Sequence, residues 1–444
     1  MAASVFSSTL YGQLFPTGAT GRLCADSAEI RAMLLVEGAL AKAQGQLGII
    51  PEISAAAIDR AAREVQVDPG ALAVAMGQNG VSVPGLVAAF RKAMEAPEHA
   101  QYLHWGATSQ DIIDTGLMLR LRQALMLAED DLKSILSMLG AASDKFAEMP
   151  MAARTYGQHA TPTSWGAVVA QWGTPLADYL ETLNDVRSRS LWVSLSGAAG
   201  TSAALGAQSA ALRAKLADLL ELSDPERSWH TDRGPVLRIA SWLCDVTMAL
   251  AGIGRNLVTL ASSDVGEISL SGAGASSTMP QKQNPVGPSI LVALGIQSTG
   301  LRAALQSAST HEHQRDGSAW FAEWSVLPQI MLNAACGLQT ARAVIPMIEP
   351  DTKRMAANLA RSNGLIHAEA LSFALAATMP RPEAQALTKK LCLEATETGA
   401  PLAELARAAD PTLPASIFDP TAQMGEAPAI ARTFAARVHT MVEG

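Results

Sequence analysis

The hydroxyl groups of Thr108 and Ser109 stand where a long helix is predicted to begin, in the segment HWGATSQDIIDT. With Asp111 three residues after Thr108, the segment fits a capping box, which satisfies the first backbone N–H groups of a helix. The same N–H groups, together with the helix dipole, can bind a carboxylate. The segment therefore predicts an ordinary helix cap or a binding site for an anionic group.

Histidines occur in two further polar segments. In RTYGQHATPTSWG, His159 lies beside a predicted helix start, where a lone histidine is commonly a structural hydrogen-bond donor. In HEHQRDGSAWFAEW, the residues His311, Glu312 and His313 are conceivable metal ligands. Their spacing differs from the HExxH pattern, which places two histidines on one face of a helix. We therefore predict no metal site.

The fourth polar segment is GAGASSTMPQKQNP, at residues 272–285. It is not a phosphate-binding loop, because Lys282 is followed by Gln283 where the P-loop pattern requires Ser or Thr. It is not a nucleophile elbow, because Thr278 occupies a position where GxSxG requires glycine. A long polar loop inside an apolar chain is usually functional or a linker, and Lys282, Asn284 and Met279–Pro280 are unusual in a linker.

Long helices must position these segments. In SAEIRAMLLVEGALAKAQGQLGII, apolar residues recur near the helical period at Ile30, Met33, Leu34, Leu40 and Leu47. Further helices are predicted from Thr108 through Leu139 and over about 162–188, 234–268, 286–308 and 318–346, and the strand pattern is nowhere sustained. The chain is therefore predicted to be all-α, with an N-terminal helical domain (1–107), a central bundle of long helices (108–347) and a small helical C-terminal domain (348–444).

Composition excludes several classes of partner. The 444 residues are 49% apolar, enough for large buried cores, and 33 Lys and Arg stand against 41 Asp and Glu, so no general basic field attracts nucleic acid. The four cysteines lie far apart without a CxxC pair, which favours reduced thiols. No secretory signal is evident, and Asp245 and Arg255 interrupt the most apolar stretch. We expect a cytoplasmic protein that binds neither membrane nor nucleic acid.

Taken together, the polar segments resemble those of the fumarase/aspartase superfamily of lyases. The superfamily signature GSSxMPxKxNP is matched by ASSTMPQKQNP, with Ala275 in place of the glycine. GATSQD and QHATPTSWG are similar to the other two active-site segments, in the expected order. HWGATSQDIIDT, EHQR, WFAEW and RAMLLVEGALAKAQGQLGIIP look most like bacterial 3-carboxy-cis,cis-muconate cycloisomerases. The resemblance covers most of residues 12–405.

The resemblance implies a homotetramer whose active sites are each built from three subunits, with the signature segment as a mobile loop that closes over the substrate. It implies no metal or organic cofactor. The reaction would be an intramolecular carboxylate addition to a double bond of 3-carboxy-cis,cis-muconate, a small tricarboxylate. The product would be a carboxymuconolactone, formed in the β-ketoadipate pathway of aromatic catabolism. This addition is the reverse of a β-elimination.

The resemblance also assigns roles to individual residues. The catalytic residues would be Ser276 as the base, His159 as its acid–base partner, and Lys282. The substrate-binding residues would be Thr108, Ser109, Gln110, Ser277, Met279, Asn284 and Arg315, with Lys282 and Asn284 on one carboxylate and the start of the helix at Thr108 on another.

The chain departs from the superfamily at a few positions. Ser289 stands where many of these lyases carry a glutamate that pairs with the histidine, which leaves His159 to act in acid–base chemistry or only to orient the substrate. Gln283 and Gln314 also replace residues that are usually Arg and Glu in the cycloisomerase branch. Two alternatives stay open. An adenylosuccinate lyase-type C–N lyase is disfavoured because no histidine precedes His99. A non-catalytic homologue is disfavoured by the intact signature.

Overall fold

The computed structural model of the protein describes residues 4–271, 274, 275, 279 and 282–443. α-Helices dominate these residues, which confirms the predicted all-α class. The N-terminal helices are α1 (Thr20–Leu23), α2 (Asp26–Gln46), α3 (Glu52–Glu64), α4 (Pro69–Asn79), α5 (Val83–Met94) and α6 (Pro97–Ala100). The middle of the chain contains α7 (Ser109–Lys145), α8 (Trp165–Ser188), α9 (Ser209–Leu220), α10 (Gly234–Leu260), α11 (Val286–Ala308) and α12 (Gly317–Val344). The last helices are α13 (Thr352–Ala360), α14 (Ala368–Leu375), α15 (Arg381–Thr398), α16 (Leu402–Ala409) and α17 (Ala427–Glu443).

The long helices lie close to their predicted positions. Helix α7 begins directly after Thr108 and continues for 37 residues, or about 55 Å at 1.5 Å per residue. Three ends differ from the prediction. Helix α7 ends at Lys145 rather than at Leu139. Helix α8 begins at Trp165 rather than near 162, because the residues before it form a strand. Helix α10 ends at Leu260 rather than 268. A turn follows, in which Gly266 adopts a left-handed φ of 62°, and a strand begins at Ile268.

In the described residues, short strands form three antiparallel pairs. They are β1 (Pro150–Thr155) with β2 (Gln158–Ser164), β3 (Ile268–Leu270) with β6 (Ile348–Pro350), and β4 (Gly274–Ala275) with β5 (Gln283–Asn284). The β1–β2 hairpin corrects the expectation that this region is only a break between helices. Its turn residues Tyr156 and Gly157 both have positive φ, at 52° and 76°, as a two-residue turn of type I′ requires.

By its internal contacts the chain divides into two compact units, each built from three separate segments. Unit 1 contains the residues up to Asp130, Glu181–Met248 and Ala293–Gln339. Unit 2 contains Asp131–Leu180, Ala249–Val292 and the residues from Thr340 onward. The division into three consecutive domains at 107/108 and 347/348 stays a prediction.

The core of unit 1 is built around α2. The predicted core residues Ile30, Met33, Leu34 and Leu40 are buried, and Leu47 is half-buried. Two glycines let α2 approach α3 closely: a Cβ at Gly38 would lie 2.7 Å from the Cβ of Ala62, and one at Gly45 would lie 2.4 Å from the Cβ of Ala55. Larger residues at these glycines would push the helices apart.

The C-terminal helices of unit 2 have a core of their own. Leu371 and Leu375 of α14 pack with Leu391 of α15 and Leu402 of α16, and all four are buried. This core agrees with the shorter, proline-separated helices predicted after residue 350.

Helix α10 is the one helix in the described part of the chain that is long and apolar enough to cross a membrane. Most of its apolar stretch is buried inside the protein, as in the core helix of a globular protein. A single helix of this kind is weak evidence for a membrane span.

Candidate active site

Residues around the start of α7 form a dense hydrogen-bond cluster in unit 1. The backbone N–H of Thr108 donates to Oδ2 of Asp111 at 3.0 Å, which is one half of the predicted capping box. Asp111 is fully buried and also accepts from the backbone N–H groups of Ser196 and Gly197, each at 2.9 Å. A further donor is Nε2 of His230, at 2.9 Å. The Asp111 carboxylate therefore ties the start of the helix to a loop about 85 residues further along the chain.

Arg315 lies against the same start of α7. Its Nε donates to Oε1 of Gln110 at 2.7 Å. Its Nη2 donates to Oγ1 of Thr108 at 3.4 Å and to the carbonyl of Ala198 at 3.2 Å. Ser109, the first residue of α7, is half-buried. The structure thus brings together four of the predicted substrate-binding residues, around a guanidinium group and a helix N-terminus that both attract anions.

Beneath this cluster lies a buried group of charges that sequence reasoning missed. The guanidinium of Arg233 donates to both carboxylate oxygens of Asp114, at 2.8 and 3.0 Å, and to both of Glu323, at 2.6 and 2.8 Å. All three side chains are buried. Burial alone would lower the pKa of Arg233, but the two carboxylates outweigh it and raise that pKa. Asp114 also accepts from Nε2 of Gln110 at 3.1 Å, which connects the buried charges to the helix start.

A second missed pair is His104 with Glu37, a buried glutamate on α2. Nδ1 of His104 lies 2.7 Å from Oε1 of Glu37, and the backbone of His104 has a left-handed φ of 63°. Burial disfavours the imidazolium, but the hydrogen bond and charge of Glu37, with Asp111 nearby, outweigh it and raise the pKa of His104. The signal in the sequence is a glutamate inside the apolar run LLVEGALA, three residues before the predicted core residue Leu40 in the same helix.

His159 lies in unit 2, on β2, in cross-strand register with Arg154 of β1. Arg154 forms two hydrogen bonds with the fully buried Glu267, at 2.7 and 2.8 Å, and Asn358 donates to the same carboxylate at 2.9 Å. Partial burial and the positive charge of Arg154 lower the pKa of His159, which favours the neutral imidazole. The hairpin is therefore firmly anchored, and the acid–base role of His159 stays a prediction.

The remaining predicted residues belong to the signature segment, whose described residues lie in unit 2. Lys282 is exposed, and its backbone N–H donates to the carbonyl of Met279 at 2.9 Å. Met279 is exposed, whereas Asn284 is half-buried on β5. Ser276 and Ser277 lie outside the described residues. Ser289, which stands where many of these lyases carry a glutamate, makes an ordinary helical contact. Its hydroxyl donates to the carbonyl of Pro285 at 2.8 Å.

The conceivable metal ligand His311 is close to the buried charges. Both of its ring nitrogens are buried and have no hydrogen-bond partner in the part of the chain that the structure describes. Burial and the charge of Arg233 lower its pKa, so the neutral ring is favoured. Within the described residues no group of three or more His, Cys, Asp or Glu side chains is arranged to hold a metal ion.

The sequence and the fold of the chain are similar to those of known lyases. Residues 19–300 match a family model described as lyase. The chain is 37% identical over 400 residues to a 3-carboxy-cis,cis-muconate cycloisomerase of Pseudomonas aeruginosa, covering 89% of this chain and 87% of that protein. It is 38% identical over 391 residues to the enzyme of the same name from Pseudomonas putida, covering 87% and 93%. A crystal structure of the 3-carboxy-cis,cis-muconate lactonizing enzyme from Pseudomonas putida superimposes with a TM-score of 0.91 at 33% identity, covering 98% of this chain and 100% of that one.

Proposed function

Because the chain belongs to this lyase family, we propose that it converts 3-carboxy-cis,cis-muconate to a carboxymuconolactone. The observation that carries the proposal is the similarity, along nearly the whole chain, to two enzymes named for this reaction. The anion-binding character of the helix start at Thr108 supports it, because the substrate is a tricarboxylate. The place of the reaction is the β-ketoadipate pathway of aromatic catabolism.

The reaction is an isomerisation, so every atom of the substrate is kept. A carboxylate oxygen forms a bond to one carbon of a double bond, and a proton is delivered to the neighbouring carbon, which is alpha to another carboxylate. Negative charge accumulates on that second carboxylate before the proton arrives, and fixed positive groups stabilise it. No oxidant, reductant or second substrate takes part.

Six of the predicted residues have a part in this scheme. Arg315 and the helix start at Thr108 and Ser109 hold one carboxylate. Lys282 and Asn284 hold the carboxylate on which charge accumulates. Ser276 removes the alpha proton in the elimination direction and delivers it in the addition direction, by microscopic reversibility.

We further propose a cytoplasmic homotetramer in which three subunits build each site, without contact to nucleic acid or membrane. Large apolar side chains on the long helices support an assembly, because they stay exposed in the single chain. Examples are Met126 on α7, Met248 on α10 and Ile296 on α11, which are 54%, 42% and 63% exposed. Burial of such residues between subunits would lower the free energy of association.

Ultraviolet spectroscopy tests the proposed reaction directly. Addition to one double bond removes the conjugated diene, so absorbance of 3-carboxy-cis,cis-muconate should fall when enzyme is added. Adenylosuccinate serves as the control substrate for the C–N lyase alternative. Turnover of adenylosuccinate without turnover of the muconate would overturn the proposal, and light scattering that gives a 46.4 kDa particle would overturn the tetramer.

A further inference from the structure

We propose that Gln110 is a positioning residue that holds the guanidinium of Arg315 ready for a substrate carboxylate, rather than a residue that touches substrate itself. The inference deepens the proposed function and rests on it, since the carboxylate in question belongs to the muconate. It assigns a role to a fully buried amide whose hydrogen bonds all lie within the protein.

The orientation of the Gln110 amide follows from its partners. Nε2 lies 3.1 Å from Oδ2 of Asp114 and 2.9 Å from the carbonyl oxygen of His230. A carboxylate and a carbonyl only accept hydrogen bonds, so both must face the NH2 group. Oε1 is thereby directed at Nε of Arg315, 2.7 Å away. A flipped amide would break all three hydrogen bonds.

Asp114 is itself held in a single position. Arg233 donates to both of its oxygens, and Glu323 fixes Arg233 from the other side through two more hydrogen bonds. Rotation of any member would leave a buried charge unpaired, which is strongly unfavourable. The buried charges therefore form a rigid base for Gln110, and through it for Arg315.

A neutral amide suits this position better than a carboxylate would. A carboxylate would form an ion pair with Arg315 and cancel its charge, whereas the amide oxygen orients Nε and leaves the guanidinium cationic. Nη2 of Arg315 is bound to Thr108 and Ala198, but Nη1 has no hydrogen-bond partner among the described residues. Nη1 is thus the group left to bind an anion.

The test measures binding rather than turnover. Tricarballylate, a saturated tricarboxylate that cannot lactonise, is titrated by calorimetry into the wild type, Gln110→Glu, Gln110→Met, Arg315→Met and the double variant Gln110→Met with Arg315→Met. Loss of a charge-assisted contact should weaken binding by about 10- to 100-fold in each single variant. If Gln110 acts through Arg315, the double variant should bind no more weakly than Arg315→Met alone.

The pH dependence separates positioning from a merely structural role. A protonated carboxyl has one donor and one acceptor, so at low pH the Gln110→Glu side chain can again donate to Asp114 and accept from Arg315. Affinity of this variant, relative to wild type at the same pH, should recover as the pH falls. Gln110→Met has no group to protonate and should show no recovery. If Gln110→Glu does not fold, the cycle of Gln110→Met with Arg315→Met still tests whether Gln110 acts through Arg315.

Asn333→Asp is the matched control. Asn333 is also fully buried in unit 1, where its Nδ2 donates to Oγ of Ser298 at 3.1 Å, so the same amide-to-acid change should cost stability and leave tricarballylate affinity unchanged. The positioning role is overturned if the two single effects multiply in the double variant, if both Gln110 variants bind like wild type, or if the wild type binds no tricarballylate. If the double variant binds tricarballylate as expected but the wild type does not turn over the muconate, the proposed substrate is rejected and the positioning role stands.

Discussion

Replacing Asp111 by asparagine should open the loop around Ser196 without unfolding the whole protein. Oδ1 of Asp111 accepts from Ser196 and His230, and Oδ2 accepts from the backbone N–H groups of Gly197 and Thr108. An asparagine is neutral and has only one acceptor oxygen, so in either orientation its NH2 group faces at least one backbone N–H group, and no hydrogen bond to a charge remains. At least two hydrogen bonds to a buried charge are then lost.

The magnitude follows from these contacts. Each hydrogen bond to a charged group contributes about 1.5–3 kcal/mol, so two lost bonds should lower the local free energy of opening by about 3 kcal/mol or more. A change of about 3 kcal/mol corresponds to an exchange rate roughly 100-fold faster for amides that exchange through local opening. Hydrogen exchange followed by mass spectrometry on peptides that cover residues 191–200 measures this rate.

Asp68→Asn is the control for the Asp111 substitution. Asp68 caps α4 at an exposed position, where its carboxylate accepts from the backbone N–H of Gly70, at 3.2 Å. Asparagine and aspartate are about equally good at such a cap, so stability should change little. Unchanged exchange at residues 191–200 in Asp111→Asn would show that this carboxylate does not hold the loop.

Four other substitutions test the roles of single residues. The pKa of His104 is raised in the folded protein, so the stability that Glu37 confers should be fully present below the unfolded pKa of histidine and should be lost as the pH rises through the folded pKa. Glu37→Gln should therefore cost more stability at pH 5.5 than at pH 8.5, as measured by thermal unfolding. Ser276→Ala should lower muconate turnover by roughly two to four powers of ten with normal circular dichroism, and near-normal turnover would reject the serine as base. Lys282→Met should lower kcat more than it raises KM, whereas Thr108→Val should mainly raise KM. If both variants raise KM equally and leave kcat unchanged, the role given to Lys282 is contradicted.

The long helices could be predicted from the sequence because their signal is local. Apolar residues at a helical period mark α2 and α7 within a few residues, and Thr108 with Asp111 marks the start of α7. The β1–β2 hairpin had no comparable signal. Its turn places Tyr156 in a left-handed conformation that a bulky residue rarely adopts, so composition favoured a simple break between helices.

The buried charges could not be predicted for a different reason. Arg233 is 119 residues from Asp114 and 90 residues from Glu323, and no spacing within any one segment indicates that the three meet. The role of Gln110 depends on the same long-range contacts. Its position beside a capping residue predicts a place in the site, but a glutamine amide offers a donor to one side and an acceptor to the other. The placement of Asp114 and of the His230 carbonyl, 120 residues away in the sequence, determines that the acceptor faces Arg315. The part proposed for Gln110 therefore depends on contacts that only the folded chain creates.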